Sequence, residues 1–369
     1  SYKEMIGYHN DGQKVDAWYD RVSKVPNLTR KGSGANISKV VIGSDRNVNL
    51  TPQKVYIDNL SLDIRPGSVA SVTDDGAWSP RADKLHFSFT PLPCAVEYRY
   101  AIGTTSGGTE ARGWTGIGLS TDILATGLSL TENINHYITV QVGTGHDTWG
   151  ANTVSNGIKV APGVSILGAK GLADGTTTPV KSIRDNTVSA VFDGYFYVQS
   201  GYQGLKVVSG ESVLVGDDVD VCGVMKGSGG ERYIDCSGHP AMVTSPGSGA
   251  PGPIAIGGAS LGGVELNAYT PGALGGIGPN NIGLKVVAWG SVTQRQTTDP
   301  KYFYIDDGCG VRDGTTTGEI ENVGVRIIAD PASYPQGGYV AVTGISSSFS
   351  DGGPRRQILP VSIQLMSSP

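Results

Sequence analysis

Two segments of this chain spell nearly the same strand: GYFYVQSG at 194–201 and KYFYIDDG at 301–308. The match extends on both sides. DNTVSAVFDGYFYVQSG aligns with WGSVTQRQTTDPKYFYIDDG, YQGLKVV with NVGVRII, VGDDVDVCGVMKG with YPQGGYVAVTGISSS, and ERYIDCS with RRQILPV. A repeat of this length means one supersecondary unit used twice. Each copy reads strand, hairpin, strand, Gly-linked strand, hairpin. Side chains alternate along a strand, so Phe196 and Phe303 are expected on one face, with Tyr195, Tyr197, Tyr302 and Tyr304 on the other.

The rest of the chain is written in the same way. Short β-branched runs end in Gly, Asp, Asn or Pro, and no stretch holds a 3.6-residue period beyond a turn or two. With 55 Gly and 20 Pro in 369 residues, this predicts an all-β chain of several small modules. The boundaries fall at 1–62, 65–161, 163–255 and 256–369, with GSGAPGP (247–253) as a linker between the two repeats. In the first module, YKEMIGYH, NDG and QKVDAWYDRV read as a hairpin about an Asn/Asp-Gly turn. ISKVVIG (37–43) and KVYIDNLSLDI (54–64) follow as strands. That set is too short to close a two-sheet sandwich by itself.

Formal net charge is −5 without a basic run, so nucleic acid is not an expected partner. No run of about 18 apolar residues is present to form a membrane-spanning helix. The opening SYKEMIGYHN lacks an initiator Met and a signal peptide, which reads as a processed piece of a longer product. Charged residues are only 17%, and the Gly/Thr-rich, Lys-poor style points to an extracellular or cell-surface setting.

Three resemblances give these modules a shape. VYIDNLSL resembles the closing strand of the jelly-roll, concanavalin-like domains of secreted bacterial proteins. Residues 65–161 resemble a fibronectin type III module through GLSLTENINHYITVQVGTG, which implies Tyr137 as a corner tyrosine with its hydroxyl returned to the backbone. The two repeats resemble OB-fold barrels. Together the string resembles the C-terminal accessory region of large extracellular glycoside hydrolases and bacterial surface proteins.

Two functions follow as expectations. One is a non-catalytic, self-assembling structural subunit: a filament, surface layer or adhesive stalk. Its incomplete first module would be completed by a neighbouring copy through strand addition. The strands available for this are the N-terminal one, Tyr2 to Tyr8, and the C-terminal ILPVSIQLM with Val361, Ile363 and Leu365 alternating. The other is polysaccharide binding, for which Trp18, Tyr19, Trp149, Tyr195 and Tyr302 are the stacking candidates. Lys206 and Arg326 occupy matching positions in the repeats and read as exposed strand residues.

No catalytic constellation is apparent. Asp58 and Asp74/Asp75 qualify only as acids, and no G-x-S-x-G elbow precedes a helix. The five His are scattered without ligand spacing, so zinc is not expected. No cofactor is expected beyond calcium, for which Asp306, Asp307 and Asp313 could supply oxygens. Turn formation is the other reading of those carboxylates, as it is for Asp217, Asp218 and Asp220. Cys222 and Cys236 flank a GSGG turn and could face each other as a cross-strand disulfide or stay as buried thiols. Sequons at Asn27, Asn36, Asn49 and Asn59 mark either a glycosylated face or chance.

Overall fold

The computed structural model describes the backbone of residues 3–10, 13–20 and 39–44, and residues 67–93, 95–143, 148–175, 181–239 and 241–368. The fold is all-β, with 51% of residues in strands and 4% in helix. Two compact units divide it at Asp63/Ile64.

In the first unit, β1 (Lys3–Asn10), β2 (Gln13–Asp20) and β3 (Lys39–Ser44) form an antiparallel sheet in the order β2-β1-β3. Asn10 stands opposite Gln13, the register that the Asn/Asp-Gly turn predicts. Tyr8 is paired with Val15 on one side and Val40 on the other. Both edges of its strand are therefore occupied, and it is not the free strand expected for donation. Tyr2, the side chains of Trp18 and Tyr19, Asp58, the VYIDNLSL motif and the four sequon Asn lie outside the described residues.

The second unit begins with a sandwich. Its strands are β4 (Val72–Asp74), β5 (Trp78–Ser79), β6 (Lys84–Phe89), β7 (Glu97–Gly103), β8 (Arg112–Gly118), β9 (Asp122–Thr126), β10 (Asn135–Gly143), β11 (Thr153–Val154) and β12 (Ile158–Val160). One sheet runs β4-β6-β9. The other runs β5-β12-β10-β7-β8, with β11 also on β10. Alternate residues of β6, β7 and β10 turn inward, so that Phe87 meets Tyr100 and Phe89 meets Tyr98 at ring separations of 5.1 and 5.0 Å. Each such buried aromatic stabilises the fold by roughly 1.5–3 kcal/mol through its area alone. The tyrosine returned to the backbone is Tyr98: its hydroxyl accepts from the Leu92 amide at 2.8 Å. Tyr137, the expected corner residue, instead accepts from the Asn135 side chain.

The first barrel follows a short helix, α1 (Ile166–Lys170). Its strands are β13 (Lys181–Phe192), β14 (Tyr195–Ser200), β15 (Gln203–Val208), β16 (Asp218–Ser228), β17 (Glu231–Asp235) and β18 (Met242–Ser245). The second barrel has β19 (Ile254–Ala255), β20 (Lys285–Gln296), β21 (Tyr302–Asp306), β22 (Arg312–Thr317), β23 (Ile320–Val323), β24 (Val325–Ile327), β25 (Tyr339–Ser350) and β26 (Pro354–Ser367). The first closes as β13-β14-β15-β17-β16-β13, the second as β20-β21-β24-β26-β25-β20. Numbered within each barrel, both orders are first, second, third, fifth, fourth, first. Only the third and fifth strands pair in parallel within these rings.

The repeat is preserved in its irregularities. Closing so small a barrel needs a sharp bend, which a bulge provides. The first strand is bulged between Val188 and Ala190 in one barrel and between Val292 and Gln294 in the other. The extra residue is Ser189 or Thr293. Their hydroxyls donate to the carbonyls of the equivalent tyrosines, Tyr197 at 3.3 Å and Tyr304 at 3.4 Å. Phe196 and Phe303 point into the barrel cores as the alternation predicts.

Candidate functional site

The outer face of the first barrel is built by period-2 alternation on three adjacent strands. Phe196, Val207 and Ile234 point inward, so Tyr195, Lys206, Tyr233 and their neighbours point outward. Registers place Tyr195 beside Val208 and Val208 beside Asp235, while Lys206 lies beside both Tyr197 and Tyr233. The second barrel packs against one side of this grid with β25 and β26. Between them lies a cleft of about 550 Å³, lined by Tyr195, Lys206, Glu231 and Tyr233 from one barrel and by Phe349 and Gln357 from the other.

At its base, Glu231 is 7% exposed. It accepts from the Tyr197 hydroxyl at 2.9 Å and from the Ser347 hydroxyl of the second barrel at 3.2 Å. Burial raises its pKa, against the pull of Lys206 and of these hydrogen bonds. Lys206 sits 3.9 Å from the centre of the Tyr195 ring, a cation–π contact. The second barrel repeats this pairing. Arg326 stacks at 4.2 Å on Tyr302 and at 4.2 Å on Phe349, which carries the row into the cleft. Lys206 and Arg326, expected as plain exposed positions, are thus the cations of a repeated aromatic row.

Each barrel also sets a buried carboxylate on its inner tyrosine, though from non-equivalent elements. In the second barrel this is Asp313, 3% exposed, which accepts from the Tyr304 hydroxyl at 3.0 Å and from Thr315. Asp313 therefore does not join the expected calcium set. Asp306 and Asp307 instead group with Cys309. Their oxygens already accept from the amides of Gly310 and Gly258 at 2.9 and 2.8 Å. That is the turn-forming role of Asp. Asp217 likewise caps the Leu214 and Gly247 amides, and Asp218 takes the Thr187 hydroxyl.

The other predicted residues are dispersed. Trp149 lies on the sandwich, where Arg99 is clasped between it (3.9 Å) and Trp114 (4.6 Å). Cys222 and Cys236 are both free thiols. Cys236 packs into the barrel core, whereas Cys222 packs outward on Ala161 and Trp78. Opposite faces of one sheet cannot supply a disulfide. Val361 and Leu365 are 52% and 38% exposed near the end of β26, while Ile363 is half-buried against the barrel core.

A second cleft, of about 480 Å³, lies between the sandwich and the first barrel. It receives Asp75 from one module and Glu211 and His239 from the other, but no Phe, Tyr or Trp ring. The Asp75 carboxylate is bound to His86 at 2.6 Å, and Asp122 holds the other ring nitrogen at 2.7 Å. Burial pulls the His86 pKa down, and the two carboxylates outweigh it and raise it.

The chain matches no model of a known protein family, and comparison with curated proteins finds no match.

Proposed function

We propose that this chain is a non-catalytic, extracellular structural subunit that joins copies of itself. The observation that carries this reading is where the buried polar groups are spent. At the sandwich–barrel junction, Arg184 donates to the Pro80 and Ala161 carbonyls, and Arg81 reaches the buried Asp220. At the barrel–barrel junction, Lys170 donates to the Ile282 carbonyl at 2.7 Å, Thr270 donates to the Lys170 carbonyl at 2.7 Å, and Ser348 donates to the Gly229 carbonyl. Each desolvated group costs several kcal/mol if left unpaired. Such clamps fix orientation between modules, which a structural subunit needs. The stretch 247–253, expected as a linker, is accompanied by this interface rather than acting alone.

Assembly is supported by the end of β26. From Val361 onward it pairs with β25 on one edge, and no described strand covers the other. An uncovered edge carrying Val361, Leu365 and Met366 invites a further strand. The occupant in this reading is a second copy of the chain, offering the outer edge of β2 or β3. The composition supports the extracellular setting.

Negative-stain electron microscopy with light scattering on the purified chain tests this. Filaments or long oligomers are expected, and Val361→Lys with Leu365→Lys should dissolve them while circular dichroism stays unchanged. A monomer at all concentrations overturns the assembly reading.

A further inference from the structure

We propose that the cleft between the two barrels is a binding site for a neutral sugar unit. The inference stands apart from the assembly reading, since the site is complete within one chain.

Its size lies inside the range of about 300–1,000 Å³ typical of small-molecule sites. Three half-buried rings, Tyr195, Tyr233 and Phe349, line it. Tyr195 is already stacked on Phe192 at 5.2 Å and carries Lys206, and Arg326 lies on Phe349, whereas Tyr233 has no ring or cation stacked on it among the described residues. Between these rings stand one acid and one base that are both incompletely used. A carboxylate has about four acceptor positions, and among the described residues Glu231 fills two, from Tyr197 and Ser347. The Lys206 ammonium rests on a ring and has no hydrogen-bond acceptor among the described residues. A buried carboxylate asking for donors and an ammonium asking for acceptors are met together by vicinal hydroxyls. The flat apolar face of a pyranose ring suits the half-buried Tyr233 ring.

Other ligand classes fit less well. A phosphate or nucleotide needs clustered cations. Here Lys206 stands opposite Glu231, and Asp235 is already paired with Lys226. A purely apolar ligand would cover Glu231 and Lys206 without satisfying either. The second barrel contributes Phe349, Gln357 and the serine that orients Glu231. The clamped junction is therefore a condition for the site.

The test is an array of neutral gluco-, galacto-, manno- and xylo-oligosaccharides probed with the full chain, followed by calorimetry on each hit. At least one neutral glycan is expected to bind. Tyr233→Ala and Lys206→Met should each weaken it about tenfold or more with the melting temperature unchanged. Trp114→Ala on the sandwich should leave it unaffected. Absence of any neutral hit overturns the proposal. So does binding that survives both cleft substitutions, or that is lost with Trp114.

Discussion

Arg81 and Asp220 meet across the junction of the sandwich and the first barrel, with Nη1 and Oδ2 2.9 Å apart and the Asp220 side chain 0% exposed. Asp220 also accepts from the Asp185 amide at 2.7 Å, and Arg81 is held from behind by Asp83. The pair joins two modules through a charge that has left water. Removing the cation leaves that charge uncompensated, which is costlier than never having buried it. Arg81→Ala should destabilise this junction by about 3 kcal/mol, read as a lower urea midpoint. Asp220→Asn should cost less, because it removes the buried charge itself. A loss below about 1 kcal/mol for Arg81→Ala, the level of an exposed pair, would refute the clamp.

Gly204 and Gly283 set the approach of the two barrels. A Cβ on Gly204 would lie 2.1 Å from the Gly283 carbonyl oxygen, which is backbone and cannot swing aside. Gly283 itself has φ of +95°, where other residues are strained. Gly204→Ala is expected to prise the barrels apart, at about 2 kcal/mol. Faster hydrogen exchange should follow at the Lys285 amide, which donates to Gln199 across this junction. Unchanged exchange there would show that the contact is not limiting.

Lys170 makes the same junction dependent on pH. Burial pushes its pKa down to about 8, with Glu231 pulling the other way. The unfolded chain, with a lysine near 10.4, then binds more protons than the folded one between about pH 8 and 10.4. Stability from this group must rise with pH across that window. Buried thiols act oppositely above pH 9, since Cys222 is raised to about 12. The comparison is therefore between wild type and Lys170→Met. The wild type should gain on the variant from pH 8 to 10, and a pH-independent difference would contradict the assignment.

The thiols should differ in reactivity. Cys222 and Cys236 are buried, and desolvation raises both above the ordinary thiol value. Cys309 is exposed, though burial of its sulfur and the neighbouring Asp307 raise it to about 11. Among these three, iodoacetamide on the native chain should mark Cys309 alone, and slowly, because the thiolate is the nucleophile. Cys222 and Cys236 should label only after denaturation. Finding them joined under oxidising conditions would contradict their placement on opposite faces.

Local pattern carried much of this fold. Hydrophobic alternation, turn residues and the internal repeat determine which segments are strands, because strand periodicity and turn chemistry act within a few residues. The repeat also determined that Tyr195 and Tyr302, with Lys206 and Arg326, hold equivalent places. The tertiary structure decided what those places do. Glu231 and Asp313 were not singled out as tyrosine partners, because one comes from the fifth strand and the other follows the second, so the repeat alignment does not superpose them. Phe349 and Ser347 reach the cleft only through docking of one barrel on the other, a contact that leaves no period in the chain. The same holds for Cys222 and Tyr98, whose fates depend on which face a neighbouring module covers. Sequence alone determined the strands and their two faces; only packing decided which outward face became a junction, a cleft or an open edge, because those choices depend on surfaces far apart along the chain.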